Sequence, residues 1–441
     1  MELDAVVLFD AQSRIRIAGL TAGERAVRVA RRAGAGRVHV IDRSDPEARA
    51  RSGTALIGWR VGRTCPVLVI RADQLVHPPL VAPLVAAPPV DGVAIAVGDD
   101  GQYAGALLAA GAGALAAIDA LARGEPDTRI AAGATARIPH GPIARHPIAT
   151  AEDRRGAHRM LYRILIKPQD NAITRYLYRP VSFPLTRLLV WTPITPNQVS
   201  YAVAALVAIG CWLVARASFG AVIAGTAITV VASYLDCCDG EIARLKLTSS
   251  RLGAWIDTVV DELSTMGYMA AIGWHCHLAY GAAYFGRLGA RCEAALGHDP
   301  WQVAIAVGLA TYAWAMFCIY YNIIVGVGSA NSQDYAGRFE VVAGSAANAV
   351  RLRPVVQAIA PRGDLPRWLQ LVATYAPYAV RRDFITWFTM AAVLVRWTDG
   401  VFFLFFLGGA VTFVIVSLDH VRLRRLLRAI ARRGETLERG S

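Results

Sequence analysis

Lysine is nearly absent from this 441-residue chain, occurring only at Lys167 and Lys246 although lysine and arginine together number 46. No lysine precedes Lys167, so the first third of the chain has no ammonium to meet a triphosphate. That region also lacks paired glycines where a phosphate-cradling loop would need them. Its first apolar run ends in Phe9-Asp-Ala-Gln-Ser-Arg14, and a loop that binds phosphate through backbone N–H groups needs glycine. The seven cysteines (Cys65, Cys211, Cys237, Cys238, Cys276, Cys292 and Cys318) show no metal-ligand spacing. They read as small packing residues in a reducing compartment, Cys237 and Cys238 included. His275-Cys276-His277 reads as polar capping near a helix end. Met1-Glu-Leu-Asp4 lacks the basic and apolar regions of a signal peptide. The chain has no zinc-finger spacing and no basic module interleaved with aromatics, which argues against nucleic acid as the partner of its +13 charge.

Apolar residues are plentiful. They make up 55% of the chain, and the mean hydropathy is +0.39. With the basic charge, this composition argues for a membrane protein with basic cytoplasmic surfaces, and the length allows two or three domains.

The most informative stretch runs from Asp236 to Asp261. It reads Asp236-Cys-Cys-Asp239-Gly240-Glu-Ile-Ala243-Arg244, then eight residues, Gly253, three residues, Asp257, three residues and Asp261. Asp236, Asp239, Gly240 and Ala243 fall at i, i+3, i+4 and i+7, one face of a helix. Gly253, Asp257 and Asp261 step by four along a second helix. The first helix ends one apolar run and the second opens another. Each apolar helix therefore presents two carboxylates, which are costly in a membrane and functional by default. Two carboxylates about 4 Å apart repel by roughly 4 kcal/mol at an effective dielectric near 20. Hard divalent cations relieve such repulsion, and paired ions serve phosphoryl chemistry. Gly240 and Gly253 remove side chains where a ligand must approach backbone, Ala243 keeps the face shallow, and Arg244 offers a fork for a phosphate. On the acids alone, a cation-coupled transporter is the alternative reading.

At these residues the chain resembles the CDP-alcohol phosphotransferase family, whose signature DxxDGxxARx8GxxxDxxxD is matched at every fixed position. The resemblance implies a site for two divalent cations, Mg²⁺ or Mn²⁺, at Asp236, Asp239, Asp257 and Asp261, with Asp261 also the base for the attacking hydroxyl. It further implies a CDP-alcohol donor, CDP-diacylglycerol or a CDP-polyol such as CDP-inositol, and a polyol or phosphorylated polyol acceptor. CMP would be released, and the enzyme would be a homodimer. Arg244, with Gly240, Ala243, Gly253 and Asn197, would line the donor site. Lys167, Arg179, Arg381 and Arg382 are candidates for an acceptor phosphate.

Residues 1–148 alternate strand and helix character. Ala5–Phe9, Arg37–Ile41, Val67–Ile70 and Val93–Val97 are strand-like, and Gly23–Ala33 is an amphipathic helix, which together argue for a Rossmann-like α/β domain. Ala18 to Gly34 and Val67 to Leu80 resemble segments of sugar nucleotidyltransferases, with Asp73 at their metal-binding position. Without the glycine-rich loop, the domain is expected to be a degenerate nucleotidyltransferase. Gly111–Ala122 is an Ala/Gly-rich helical tract, and Pro139 to Pro147 is a plausible boundary.

From 149 to 198, basic and apolar residues interleave, Arg159, Arg163, Arg175 and Arg187 with Leu161, Ile164, Leu177 and Leu188. This pattern predicts helices lying on the membrane surface. The segments Lys167 to Ser182 and Thr195 to Ser200 also resemble family members that make di-myo-inositol phosphate phosphate, which carry a fused nucleotidyltransferase domain.

Residues 199–441 are expected to carry six membrane helices: Val199–Ala217, Phe219–Cys238, Leu252–Trp274, Trp301–Val327, Phe384–Trp397 and Val401–Leu418. The loop Gly328–Arg382 carries Arg338, Arg351, Arg353, Arg362, Arg367, Arg381 and Arg382, and arginines also follow Leu418. Ala279–Pro300 has only Arg287 and Arg291. By the positive-inside rule, both termini and the acidic site are expected on the cytoplasmic side of the inner membrane.

Overall fold

The computed structural model describes residues 2–166, 170, 172–328, 335–344, 348–355, 366 and 381–438. It resolves into two compact units. The first comprises Met1–Asp170, Leu185–Ile194 and Glu241–Thr248; the second comprises Asn171–Pro184, Thr195–Gly240 and Ser249–Ser441.

The first unit is built on β1 (Leu3–Phe9), β2 (Arg16–Ile17), β3 (Leu20–Thr21), β4 (Ala35–Asp42), β5 (Val67–Arg71), β6 (Gln74–Val76), β7 (Gly92–Val97), β8 (Tyr103–Ala110), β9 (Ala136–Pro139) and β10 (Arg145–Pro147). Six of these strands form one sheet in the order β4-β1-β5-β8-β7-β9, with β2–β3 and β10–β6 as separate pairs. β1 is parallel to both β4 and β5, while β8 is antiparallel to β5 and β7. The four strands expected from the sequence are all present. β1, β5 and β7 are short β-branched or aliphatic runs buried on both faces, as the inside of a covered α/β sheet requires, while β4 lies at the sheet edge and is largely half-buried.

Period-two alternation sends Ala5 and Val7 of β1 into one core and Val6 and Leu8 into the other. The first core is completed by Ala26 and Val29 of α1 (Ala22–Arg32) and Leu84 of α3 (Ala82–Ala86). The second is completed by Leu56 of α2 (Pro46–Arg60), Ala117 and Leu121 of α4 (Gly111–Ala122) and Ala131 of α5 (Asp127–Ala132). α1 starts where its sequence says it should. Thr21 accepts from the Glu24 amide, and the Glu24 carboxylate returns to the Thr21 amide, a reciprocal capping box.

α6 (Ala151–Arg163) opens on a second capping box, between Thr150 and Asp153. It was expected to lay an apolar stripe on a membrane. Instead Ala157, Leu161 and, just beyond the helix, Leu165 are fully buried, and Arg159 and Arg163 are exposed. His158 packs on Trp191, and the Arg187 guanidinium stacks over Tyr162. The stripe is therefore consumed inside the unit. The outward apolar side chains of this region belong to the stretch that follows, at Tyr176, Leu177, Val181 and Leu188.

The second unit is mainly helical. After α7 (Arg179–Leu189) come α8 (Pro196–Val214), α9 (Phe219–Leu245), α10 (Arg251–Tyr280), α11 (Gly286–Leu296), α12 (Pro300–Asn322), α13 (Arg382–Leu394) and α14 (Thr398–Arg432). A small sheet joins β11 (Phe339–Ala343), β12 (Ala349–Pro354) and β13 (Thr436–Leu437). A helix stands at each of the six places expected to span.

Four segments among the described residues are long and apolar enough to cross a membrane: Pro196–Val214, Phe219–Leu245, Pro300–Val327 and Thr398–Arg432. α10 has 30 residues but carries Asp257, Asp261 and Glu262 in its first half. α13 has 13 residues, about 20 Å at the helical rise, against a bilayer core of about 30 Å. Side chains such as Leu404, Leu407, Val411, Val414 and Leu418 project outward from α14, as on a helix solvated by acyl chains.

Close helix approach is set by small residues. A Cβ at Gly225 of α9 would sit 2.4 Å from the Gly210 carbonyl of α8, and one at Gly273 of α10 would strike Phe402 of α14. Trp301 is fully buried among Phe285, Phe402 and Phe403.

Candidate metal centre and active site

Two helix geometries place the motif. α9 is continuous from Phe219 to Leu245 and carries Asp236, Asp239 and Gly240 near its C-terminal end. α10 begins at Arg251, capped by Ser250, whose hydroxyl accepts from the Gly253 amide at 2.9 Å. Asp257 and Asp261 follow one turn apart on α10.

Carboxylate oxygens of Asp236, Asp257 and Asp261 converge within 4.8 Å of one another, and all three residues are half-buried. At that separation each pair repels by roughly 3 kcal/mol at an effective dielectric near 20. The donors are all carboxylate oxygens, which suits a hard divalent cation.

Asp239 lies outside this trio and is held differently. Only 6% exposed, it accepts a 2.6 Å hydrogen bond from the Ser200 hydroxyl of α8 and has Asp236 and Asp257 as electrostatic neighbours. Ser200 was not anticipated as a site residue. It follows Asn197 by three residues on the same face of α8, but its partner lies 39 positions away, on α9. Asn197 itself stands at the site. Its Oδ1 is 3.3 Å from where a Cβ on Gly253 would be, which gives the glycine a physical reason.

The basic candidates separate. Arg382 is drawn into the cluster, ion-paired with Asp261 and with Nη1 3.7 Å from Asp236. Arg381 sits 3.8 Å from Asp383, which also accepts from the Thr174 hydroxyl at 2.7 Å. Arg179 is 8% exposed and stacks on Phe183. Gly240 lies on α9 immediately after Asp239. Ala243 and Arg244 extend the same helix by one further turn, into residues grouped with the first unit. Lys167, Arg362 and Arg367 lie outside the described residues.

The first unit contains a polar cavity of about 700 Å³, lined in part by Arg71, Asp73, Asp99, Asp100, Tyr103 and Arg145. Asp73 is engaged within it. The Arg71 fork grips both of its oxygens, one through Nε at 3.2 Å. Burial, with Asp127 nearby, pushes the Tyr103 phenol well above its ordinary value. After β1 the chain makes a short 3₁₀ turn, Ala11–Arg14, in place of a glycine-rich loop. There the Asp10 carboxylate accepts from the Gln12 amide at 2.8 Å and the Ser13 amide at 3.2 Å. Backbone donors that could meet a phosphate are thus satisfied by the chain's own carboxylate.

Comparison with known proteins agrees with the motif. Residues 193–397, from just before α8 to just before α14, match the CDP-alcohol phosphatidyltransferase family. The chain is also similar to proteins named bifunctional IPC transferase and DIPP synthase. That of Rubrobacter xylanophilus is 35% identical over 163 residues, covering 35% of this chain and 37% of the relative. That of Aquifex aeolicus is 32% identical over 129 residues, 29% of each chain. That of Thermococcus kodakarensis is 33% identical over 128 residues, 29% of this chain and 28% of the relative. The matched stretches thus span little more than a third of these relatives' lengths at most.

Proposed function

We propose that the chain moves a phosphoalcohol group from a CDP-alcohol to the hydroxyl of a polyol or polyol phosphate and releases CMP. The observation that carries this reading is the convergence of Asp236, Asp257 and Asp261 within 4.8 Å, inside a signature matched at every position. These three, with Asp239 oriented by Ser200, are the residues that would hold two divalent cations. Bound there, the cations supply charge neutralisation for the donor diphosphate and for the charge that develops on it.

The remaining roles fall to side chains. Asp261 takes the proton of the acceptor hydroxyl. The acceptor oxygen forms its bond to the β-phosphorus in line as the bond from that phosphorus to the bridging oxygen breaks. CMP leaves with the electron pair. Arg244 braces the diphosphate. Arg382, already at the cluster, is the best placed of the basic candidates among the described residues to meet an acceptor phosphate, and its fork suits one.

The relatives' names support an inositol-type acceptor and a CDP-polyol or CDP-diacylglycerol donor. The proposed topology has six spans, with the site and both termini on the cytoplasmic face of the inner membrane. Four apolar helices and the arginine distribution support it. The proposed assembly is a homodimer, on the family resemblance.

The decisive experiment incubates purified protein with radiolabelled CDP donors and a panel of polyols and polyol phosphates. CMP release requiring both a divalent ion and an acceptor is expected. Cation-driven solute uptake into proteoliposomes without CMP release would establish a transporter instead.

A further inference from the structure

The five residues between α9 and α10 join the two helices that carry the motif carboxylates, and α1 grips them. Arg25, fully buried, donates through Nη2 to the Leu245 carbonyl at 2.7 Å. Arg28, one turn along α1, donates through Nη1 to the Lys246 carbonyl at 2.6 Å. Carbonyls at a helix C-terminus have no partner within the helix and carry partial negative charge, so two guanidiniums are well matched to them.

The turn is fixed from other directions as well. Lys246 donates to the carbonyls of Thr192 at 2.8 Å and Ile194 at 3.1 Å. Leu247 adopts a left-handed conformation, φ 53°, rare for a branched side chain, and packs against the apolar core under α1. The Thr248 amide closes back onto the Ala243 carbonyl at 2.9 Å.

Arg25 is poorly explained as a stabilising residue. It is enclosed, yet its Nε and Nη1 make no hydrogen bond among the described residues, and buried donors left unpaired are unfavourable. Burial, with Arg28 adding repulsion, pulls it down to about 10, which leaves it charged at neutral pH. A costly cation aimed at one carbonyl argues for positioning.

Asp239 precedes Leu245 by six residues, and Asp257 follows the start of α10 by six. How the turn is held therefore sets how far the Asp236–Asp239 pair stands along its axis relative to Asp257–Asp261. We propose that Arg25 and Arg28 are positioning residues for the carboxylate cluster, and that the α/β unit supplies this grip whether or not it retains nucleotide chemistry. The inference rests on the metal-dependent reading above.

The test measures Mn²⁺ binding by electron paramagnetic resonance on full-length protein in nanodiscs, together with amide hydrogen exchange over 246–252. Arg25→Met with Arg28→Ala is expected to weaken Mn²⁺ binding about tenfold, the lower end for groups that orient metal ligands. Exchange in the turn should rise, while the thermal midpoint stays near wild type because a buried charge is replaced at similar volume. Arg28→Lys should restore most of what Arg28→Ala loses. Should the double variant misfold, the part-exposed Arg28→Ala alone decides by the same measurement. Wild-type Mn²⁺ affinity in a folded variant overturns the inference. A wild-type protein that binds no Mn²⁺ overturns the metal reading and this inference with it. One that binds Mn²⁺ but releases no CMP overturns the proposed reaction alone, and the variant affinities still decide the positioning role.

Discussion

The Ser200 hydroxyl donates to Asp239 Oδ2 over 2.6 Å, tying α8 to α9 beside the motif carboxylates. Asp239 is 6% exposed and has little water to replace that donor. Ser200→Ala should therefore raise the Mg²⁺ concentration needed for half-maximal activity by about 10–100-fold, as for other partners that orient metal ligands. Ser200→Thr keeps the hydroxyl and should stay close to wild type. A metal requirement unmoved by Ser200→Ala would mean the bond only packs two helices.

Gly253→Ala separates site from scaffold. Alanine is the better helix former by about 0.5–1 kcal/mol, so thermal stability should hold or rise. Yet the added Cβ would stand 3.3 Å from Asn197 Oδ1 and 3.2 Å from the Ser250 hydroxyl, forcing Asn197 aside. Turnover efficiency on the CDP donor is expected to fall about tenfold, given how steeply misplacement by up to 1 Å is felt. Full activity in the alanine variant would remove Asn197 from the donor site.

Much of this was legible in the sequence, for identifiable reasons. β1, β5 and β7 announced themselves as short apolar runs bounded by turn residues, and β4 by the alternation of Arg37-Val-His-Val-Ile41. β8 did not, because Tyr103–Ala110 is Ala- and Gly-rich and its strand identity comes from pairing with both β5 and β7. The amphipathic pattern of α6 revealed that one face would be covered. Periodicity cannot say by what, and the cover proved to be protein. Asp236, Asp257 and Asp261 could be placed together because a fixed spacing on two helices constrains them. Ser200 and the grip of Arg25 on Leu245 depend on tertiary contacts between residues 39 and 220 positions apart, which no local pattern encodes.

The α/β unit should not synthesise a CDP-alcohol. Asp10 already satisfies the Gln12 and Ser13 amides, Asp73 is gripped by Arg71, and no lysine precedes Lys167. Full-length protein incubated with CTP and a panel of polyol phosphates is expected to release no pyrophosphate. Robust pyrophosphate release would restore nucleotidyl transfer to this unit.

Activity should require Mg²⁺ or Mn²⁺ and vanish with chelator. Three carboxylates converge within 4.8 Å, with Arg382 ion-paired to Asp261, and a hard divalent cation would relieve their mutual repulsion. Turnover that survives excess EDTA would end the two-cation reading.

Asp257→Asn and Asp261→Asn should fail in different ways. Asp257 lies on α10 between Gly253 and Asp261 and shares the convergence with Asp236. A neutral amide donates poorly to a hard cation, so Asp257→Asn should lose metal affinity along with turnover. Asp261, one turn further on, is ion-paired with Arg382 and carries the proposed proton-abstracting role. A positioned base is worth typically 10²–10⁴-fold, so Asp261→Asn should depress turnover by about that factor while metal and donor affinity change much less. If both residues served only to hold α9 and α10 together, both variants would lose stability in parallel, which thermal unfolding in detergent detects. Metal affinity, donor affinity and turnover measured on folded variants then distinguish ligand from base. Wild-type turnover in Asp261→Asn, or a loss of metal as severe as in Asp257→Asn, would show that the two carboxylates do not divide the work in this way.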